Sequence, residues 1–178
     1  MSGNLPKIYL HNDDIPENIS LGNQIAIDTE TLGLNPSRDR LCLVQINDGN
    51  ECTHLIKVSS KINPAPNLIK ILESKKIQKL FHFARFDVAV MTKSYGVTVN
   101  NIYCTKIASK IPRTYTDKHS LKSLCDELLN ISLSKEEQSS DWGAEKLTEN
   151  QKKYAANDVI YLHKIKLALD SILERENR

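Results

Sequence analysis

Two carboxylates stand two residues apart in Ile27-Asp28-Thr29-Glu30-Thr31, closing a run from Gln24 to Asp28 that reads as a short buried strand. Residues i and i+2 of an extended chain share a face, so Asp28 and Glu30 point the same way and repel each other. A hard divalent cation such as Mg²⁺ would relieve that repulsion, because it takes carboxylate oxygens and neutralises the charge that would otherwise raise one pKa. For this pair alone, a solvated turn with one acid capping a helix is the alternative. Further along, Phe81-His82-Phe83-Ala84-Arg85-Phe86-Asp87 sets an acid in the first turn of a helix directly after a buried strand. Metal ligation is one use for it and complementing the helix dipole is the other. Tyr154-Ala155-Ala156-Asn157-Asp158 places a phenol and a carboxylate four apart, on one helix face a single turn from each other. A Tyr-Asp surface pair is the bland reading, and small Ala155 and Ala156 would let the helix lie close to a sheet.

The elements that must hold these groups can be followed along the chain. Leu41 to Ile46 reads as a strand, Asp48-Gly49 as a hairpin turn and Glu51 to Val58 as the returning strand, giving with Gln24 to Asp28 a three-stranded meander. The polar turn from Thr31 to Arg40 separates the first two. Beyond Pro64 and Pro66 the period becomes helical up to about Ser74. Ile77 to Phe81 is a buried strand, Ala84 to Tyr95 a helix stopped by Gly96, and Val97 to Tyr103 holds a short extended piece. Cys104 to Lys110, Ser120 to Leu129 and a long stretch from Thr148 to about Arg175 read as helices, the last opened by a Thr148-x-x-Gln151 capping box. The spacing predicts an α/β fold, a mixed sheet flanked by helices, over a single domain spanning residues 1–178.

Composition limits what such a domain can be. The 178 residues are 40% hydrophobic and 26% charged, close to a globular average and unlike a disordered or membrane chain. The longest apolar runs are strand-sized, and the opening Met-Ser-Gly-Asn-Leu-Pro-Lys has no signal-peptide pattern. Cys42, Cys52, Cys104 and Cys125 show no paired spacing and read as small core residues of a protein from the reducing cytoplasm. His11, His54 and His163 have no zinc-like spacing. Twenty-four basic against 22 acidic residues leave a net charge of +2, too little for long, sequence-blind tracking along nucleic acid. Lys106, Lys110, Arg113, Lys118, His119 and Lys122 nevertheless cluster, which leaves room for a local anion site.

Taken together, Asp28-x-Glu30, Asp87 and Tyr154-x-x-x-Asp158 resemble the tyrosine branch of the DEDD superfamily of 3′ to 5′ exonucleases. Leu43-Val44-Gln45-Ile46, the His82-to-Asp87 segment and Ser140-Asp141-Trp142 resemble ribonuclease D. Thr29 to Leu34, Ala65-Pro66-Asn67-Leu68, Cys104 to Lys110, Arg113 to Asp117 and Gln138 to Trp142 are similar to the nanoRNase C group, which looks like a bare ribonuclease D catalytic domain. That resemblance implies a ribonuclease H-like exonuclease fold, two Mg²⁺ or Mn²⁺ ions per site, short single-stranded RNA and above all dinucleotides as substrate, and a ring-forming homo-oligomer, an octamer. Asp28 is then the ligand shared by both ions, Glu30, Asp87 and Asp158 complete the set, and Tyr154 acts on the attacking water.

Substrate contacts are expected from Leu34 as an apolar wedge, with a Leu closing the core as the alternative, and from His82 and Phe83 bordering the nucleotide, although Phe83 also reads as core. Arg113, Tyr115, Lys118 and His119 are the candidates for capping a terminal 5′-phosphate, against a merely solvated basic face. Trp142, after Ser139-Ser140-Asp141, reads as a packing residue beside a short capped helix. Three rivals remain. A ribonuclease D-like enzyme for longer RNA or tRNA 3′ ends would be expected to carry RNA-binding domains after the catalytic helix. An inert nucleic-acid-binding scaffold would be expected to lack a ligand. A DNA proofreading domain would be expected beside a polymerase.

Overall fold

The computed structural model describes residues 7–50, 52–133, 137 and 139–178. Residues 1–6, Glu51 of the expected returning strand and Gln138 of the segment before Trp142 lie outside the described residues. Six strands form one sheet: β1 (Lys7–Asn12), β2 (Gln24–Thr31), β3 (Leu41–Asn47), β4 (Cys52–Lys57), β5 (Gln78–Phe81) and β6 (Ile102–Cys104), in the order β1-β4-β3-β2-β5-β6. The expected meander is present, with β2, β3 and β4 antiparallel. Its tight turn uses Gly49 at φ 86°, a conformation open to glycine at no steric cost. The Asn47 side chain secures it, accepting from Gly49 N at 2.9 Å and donating to Cys52 O at 2.8 Å. Strands β5 and β6 extend the β2 side in parallel, and β1 joins β4 in parallel at the far edge.

Helices α1 (Pro66–Glu73) and α2 (Arg85–Tyr95) cover one face, while α3 (Thr105–Lys110), α4 (Leu121–Leu129), α5 (Glu149–Ile160) and α6 (Leu162–Arg175) cover the other. On the first face Ile25, Ile27, Val44, Ile46 and Ile56 meet Leu68, Leu72, Val90 and Met91. On the second, Ala26 and Leu80 meet Leu124, Val159, Leu162 and Ile165, and Leu43 and Leu55 meet Trp142 and Ala155. Each of these large side chains contributes about 1.5–3 kcal/mol by leaving water. Alternation along β2 therefore fixes Ile25 and Ile27 in one core, and the same pleat turns Asp28 and Glu30 toward the α5 side.

The expected long C-terminal helix is two helices. Tyr161, at φ −96° and ψ −11°, separates α5 from α6. The break lets α5 lie along β2, β3 and β4 while α6 packs on α3 and α4. Of the four cysteines, all free, Cys42 and Cys125 are core residues, whereas Cys52 and Cys104 are only half-buried. His11 and His54, remote in sequence, are brought together by the β1–β4 pairing, their ring nitrogens 3.0 Å apart. No third metal ligand joins them among the described residues. No described helix is long and apolar enough to cross a membrane.

The start of α5 is fixed as the sequence predicts: Thr148 Oγ1 accepts from Gln151 N at 3.1 Å, and Gln151 Oε1 accepts from Thr148 N at 2.8 Å. Thr148→Ala should lower stability by about 1 kcal/mol, seen as a lower urea midpoint with an unchanged slope. A midpoint equal to that of the parent protein would show that this cap does not support α5.

Candidate active site

Asp28 and Glu30 stand near the end of β2, just before its ladder with β3 slips by one residue, between Glu30 and Thr31. Such bulges twist a strand and re-aim side chains, and they recur beside functional sites. Helix α5 brings Asp158 to the same place. Asp28, Glu30 and Asp158 each offer an oxygen within 4.8 Å of the others, close enough for one hard cation to touch all three. Asp87 approaches from the opposite layer. It sits in the first turn of α2, is buried, and its Oδ1 accepts from Thr29 Oγ1 at 2.7 Å. Thr29 points to the α2 face of β2 while its neighbours Asp28 and Glu30 point to the α5 face, so one tripeptide touches ligands from both sides of the sheet.

Four acids in so small a space perturb one another. Burial first, then Asp87, Asp158 and Glu30, hold the Asp28 carboxyl well above the ordinary carboxylate range. Burial and then the charges of Asp158 and Asp87 push Glu30 to about 9. Burial raises Asp87 to about 7 against the pull of Thr29, and raises Asp158 to about 7 against the hydrogen bond from Tyr154. The Tyr154 phenol is itself raised, by burial and then by Asp158, Glu30 and Asp28. It leans on Trp142, ring centroids 6.0 Å apart. An oxygen-only donor set with this much unrelieved negative charge suits Mg²⁺ or Mn²⁺.

Asp28, Glu30 and Asp158 form the floor of a cleft of about 330 Å³, walled by residues such as His82, Phe83, Lys106, Lys122 and Tyr154. A larger hollow of about 810 Å³ lies beside α1, lined by residues such as Ile19, Leu21 and Ile69, away from any of the acids. Chemistry, not volume, identifies the site.

The remaining candidates fall in different places. Leu34 projects from the loop after β2 and is 89% exposed, so it is not a core residue. It borders a second hollow shared with Glu30, Phe86 and Trp142. Phe83 is not core either: it is 41% exposed and has φ 70°, a left-handed conformation that costs a bulky residue energy and clusters at functional sites. Lys106 Nζ stands 4.2 Å from its ring centroid and Arg85 Cζ 5.2 Å. His82 lines the cleft with Nδ1 3.0 Å from Thr105 Oγ1, and burial followed by the Lys106 charge lowers it to about 4. It is neutral at pH 7.

Arg113 is not available as a phosphate cap. It is 2% exposed, pairs with Glu127, and donates to Ser109 Oγ at 2.8 Å and Lys118 O at 3.3 Å, tying the end of α3 to α4. His119 is also buried, with Nδ1 2.8 Å from Ser109 Oγ, although it edges a basic hollow with Lys106 and Lys110. Tyr115 and Lys118 are exposed and do not line the acid cleft. Lys106 and Lys122, which the sequence placed only within a basic cluster, are the cations at the cleft. The helical spacing of Lys106 and Lys110 on α3 was the available signal. Trp142 is buried as expected, but in a turn and not a helix: Asp141 Oδ1 accepts from Gly143 N at 3.0 Å.

The site has recognisable relatives. The family model described as "3'-5' exonuclease" matches residues 12–174. DNA polymerase I of Aquifex aeolicus is 37% identical over 139 residues, covering 78% of this chain and 22% of that protein. Ribonuclease D of Bartonella henselae is 30% identical over 154 residues, covering 86% of this chain and 37% of that protein. The chain thus spans roughly a fifth to two fifths of these curated relatives. Brucella melitensis NrnC, solved with bound Mg²⁺, superposes with a TM-score of 0.92 at 49% identity, covering 97% of this chain and 84% of that one. A structure of the same Brucella protein bound to pGG gives 0.93 at 50% identity over the same shares. With a mixed six-stranded sheet of the ribonuclease H-like exonuclease type and a family match over nearly its whole length, the chain belongs to the 3′–5′ exonuclease family.

Proposed function

We propose that the chain is a metal-dependent 3′ to 5′ exoribonuclease that cuts short RNA, dinucleotides above all, into nucleoside 5′-monophosphates. The observation that carries this reading is the meeting of Asp28, Glu30 and Asp158 within 4.8 Å on the floor of a cleft that Tyr154 also lines. The likeness to Brucella NrnC, whose structures hold Mg²⁺ and pGG, supports both the cofactor and the substrate length. Two divalent ions held by Asp28, Glu30, Asp87 and Asp158, with Asp28 shared, would activate the attacking water and stabilise the leaving oxygen. The water oxygen bonds to phosphorus as the P–O3′ bond breaks. The upstream nucleotide leaves with a 3′-hydroxyl and the terminal one with a 5′-phosphate.

Tyr154 holds that water by hydrogen bonding and does not deprotonate it, because its phenol is raised above an ordinary value already near 10. Leu34 stands free to wedge against a base. Phe83 offers the opposite ring surface, and Lys106 and Lys122 supply charge for phosphate oxygens in place of Arg113. The protein works in the reducing cytoplasm, in keeping with four free thiols. It assembles into a ring-forming homo-oligomer, an octamer, for which the outer edge of β1, unpaired among the described residues and carrying exposed Tyr9 and Leu10, offers a surface. A ribonuclease D-like activity on longer RNA remains the second reading, favoured by the Bartonella relative.

Labelled RNAs of two to about ten nucleotides, followed with Mg²⁺ and with a chelator, separate these readings: preferential loss of the two-mer supports dinucleotide hydrolysis, and equal processing of all lengths supports the second. Asp28→Asn, Asp87→Asn or Asp158→Asn should abolish the metal-dependent cleavage with the fold intact, and full activity in any one removes that residue from the set. Tyr154→Phe should reduce kcat by about 10-fold, as for one lost hydrogen bond to the attacking water, with little change in KM. An unchanged kcat rejects its action on the water.

The raised carboxyls also set a pH dependence. The native state holds protons on these acids up to pH about 7 for Asp87 and Asp158 and about 9 for Glu30, where the unfolded chain has released them. Metal-free protein should therefore lose thermal stability as pH rises from 5 to 9, and Mg²⁺ should restore most at the alkaline end. Melting curves with chelator and with Mg²⁺ check this. A chelated protein whose Tm climbs over that range would contradict the assignment of the acid cluster.

A further inference from the structure

Three buried amide side chains lie near the site, and two are satisfied. Asn47 is held by Gly49 N, Cys52 O and Thr53 Oγ1, and Gln151 by Ser140 Oγ, Asp141 O and Thr148 N. Gln45 is fully buried, yet neither its Nε2 nor its Oε1 has a partner. A buried amide without partners is costly, and native structures seldom retain one without a use.

The position of Gln45 supplies the use. In the β2–β3 ladder its register partner is Asp28, and residues directly opposite in an antiparallel pair present side chains to the same face within reach of each other. That is the face α5 covers, where Glu30 and Asp158 join Asp28. Two of the other ligands have side-chain donors: Asp87 receives Thr29 Oγ1 at 2.7 Å, and Tyr154 serves Asp158, while Glu30 has none among the described residues. Asp28, central to the cluster, is served by the backbone of Thr29 alone. Among the described residues, Gln45 is the orphaned buried donor whose neighbour across the ladder is a candidate ligand.

We propose that Gln45 is the positioning residue for Asp28: its Nε2–H donates to the Asp28 carboxylate in the metal-bound protein, fixing the orientation in which it ligates. Oε1 is left for a buried water, the usual partner of a polar atom closed off from protein groups. The amide is neutral, so it orients the acid without adding charge to a crowded site. Outer partners of this kind alter metal affinity or activity by roughly 10- to 100-fold when removed.

The inference rests on the proposed metal site, and Mn²⁺ titration of the protein by calorimetry separates the two. The parent protein should bind Mn²⁺. Gln45→Met, which fills the space with an apolar chain, should bind it at least about 10-fold more weakly while its metal-free Tm is unchanged or raised, since an unpartnered amide has been removed. Equal affinity in the variant overturns the role of Gln45 and leaves the metal site standing. Failure of the parent to bind Mn²⁺ overturns both. A crystal structure of the Mg²⁺-loaded parent gives an answer even if the variant does not fold: Nε2 within hydrogen-bonding distance of an Asp28 oxygen is required, and a separation beyond about 3.5 Å refutes it.

Discussion

Mutual repulsion among acids taken out of water is the constraint around which the molecule is arranged. Left to themselves, Asp28, Glu30, Asp87 and Asp158 would separate or keep their protons: burial raises all four, and neighbouring carboxylate charges add to it at Asp28, Glu30 and Asp158. They stay together because each is mounted on an element whose position is decided elsewhere. Strand β2 is central in the sheet, paired on both edges, and its Ile25 and Ile27 are locked in the core beneath α1 and α2. Helix α5 is held by a reciprocal cap at Thr148 and by Ala155, Ala156 and Val159 against the sheet. Asp87 is fixed by a helix whose Val90 and Met91 are buried on the opposite face. Hydrophobic burial at these positions, about 1.5–3 kcal/mol per large side chain, is what offsets the electrostatic cost. Strain of this kind at a preorganised site is a source of function, because the charge it concentrates is the charge a cation relieves.

Much of this was legible in the sequence, for identifiable reasons. A period of two in Gln24 to Glu30 gives both the strand and the shared face of Asp28 and Glu30, since local geometry alone decides it. The spacing of Tyr154 and Asp158 gives their shared helix face in the same way, and Thr148 with Gln151 marks where that helix starts. The Asp48-Gly49 pair marks the turn between β3 and β4, because the left-handed backbone at Gly49 favours glycine. These are short-range rules, and they work where the chain need only be consulted a few residues at a time.

What escaped the sequence depends on partners far along the chain. Arg113 has the look of an exposed phosphate ligand until Glu127, fourteen residues on, turns inward to meet it. Phe83 sits in an apolar word and is expected in the core, but the left-handed backbone that joins β5 to α2 turns its ring outward under Lys106. The break at Tyr161 interrupts a helical pattern that continues through it, because tertiary packing asks α5 and α6 to cover different parts of the sheet. The parallel addition of β1 to β4 brings His11 to His54 across 43 residues, a contact no spacing rule describes. Leu34, open to either reading from its type alone, is settled by loop geometry, with Asp39 Oδ2 accepting from Asn35 N at 2.9 Å to shape the turn that leaves it in solvent.

Moving the cationic role from Arg113 to Lys106 changes the character of the site. A buried, ion-paired guanidinium offers rigid two-pronged recognition, whereas a lysine ammonium acts as a mobile point charge. Lys106 is placed where it meets the Phe83 ring, the acid cleft and the basic hollow beyond it. A cation on an aromatic face is partly satisfied without a counter-ion, so the Phe83 ring holds the Lys106 ammonium at the wall of the acid cleft. The Phe83 ring, held out by its unusual backbone, thereby keeps one positive charge apart from the negative cluster. In the proposed function, the cleft would receive an anionic chain whose phosphate uses both the cations its acids attract and the lysine on its aromatic wall.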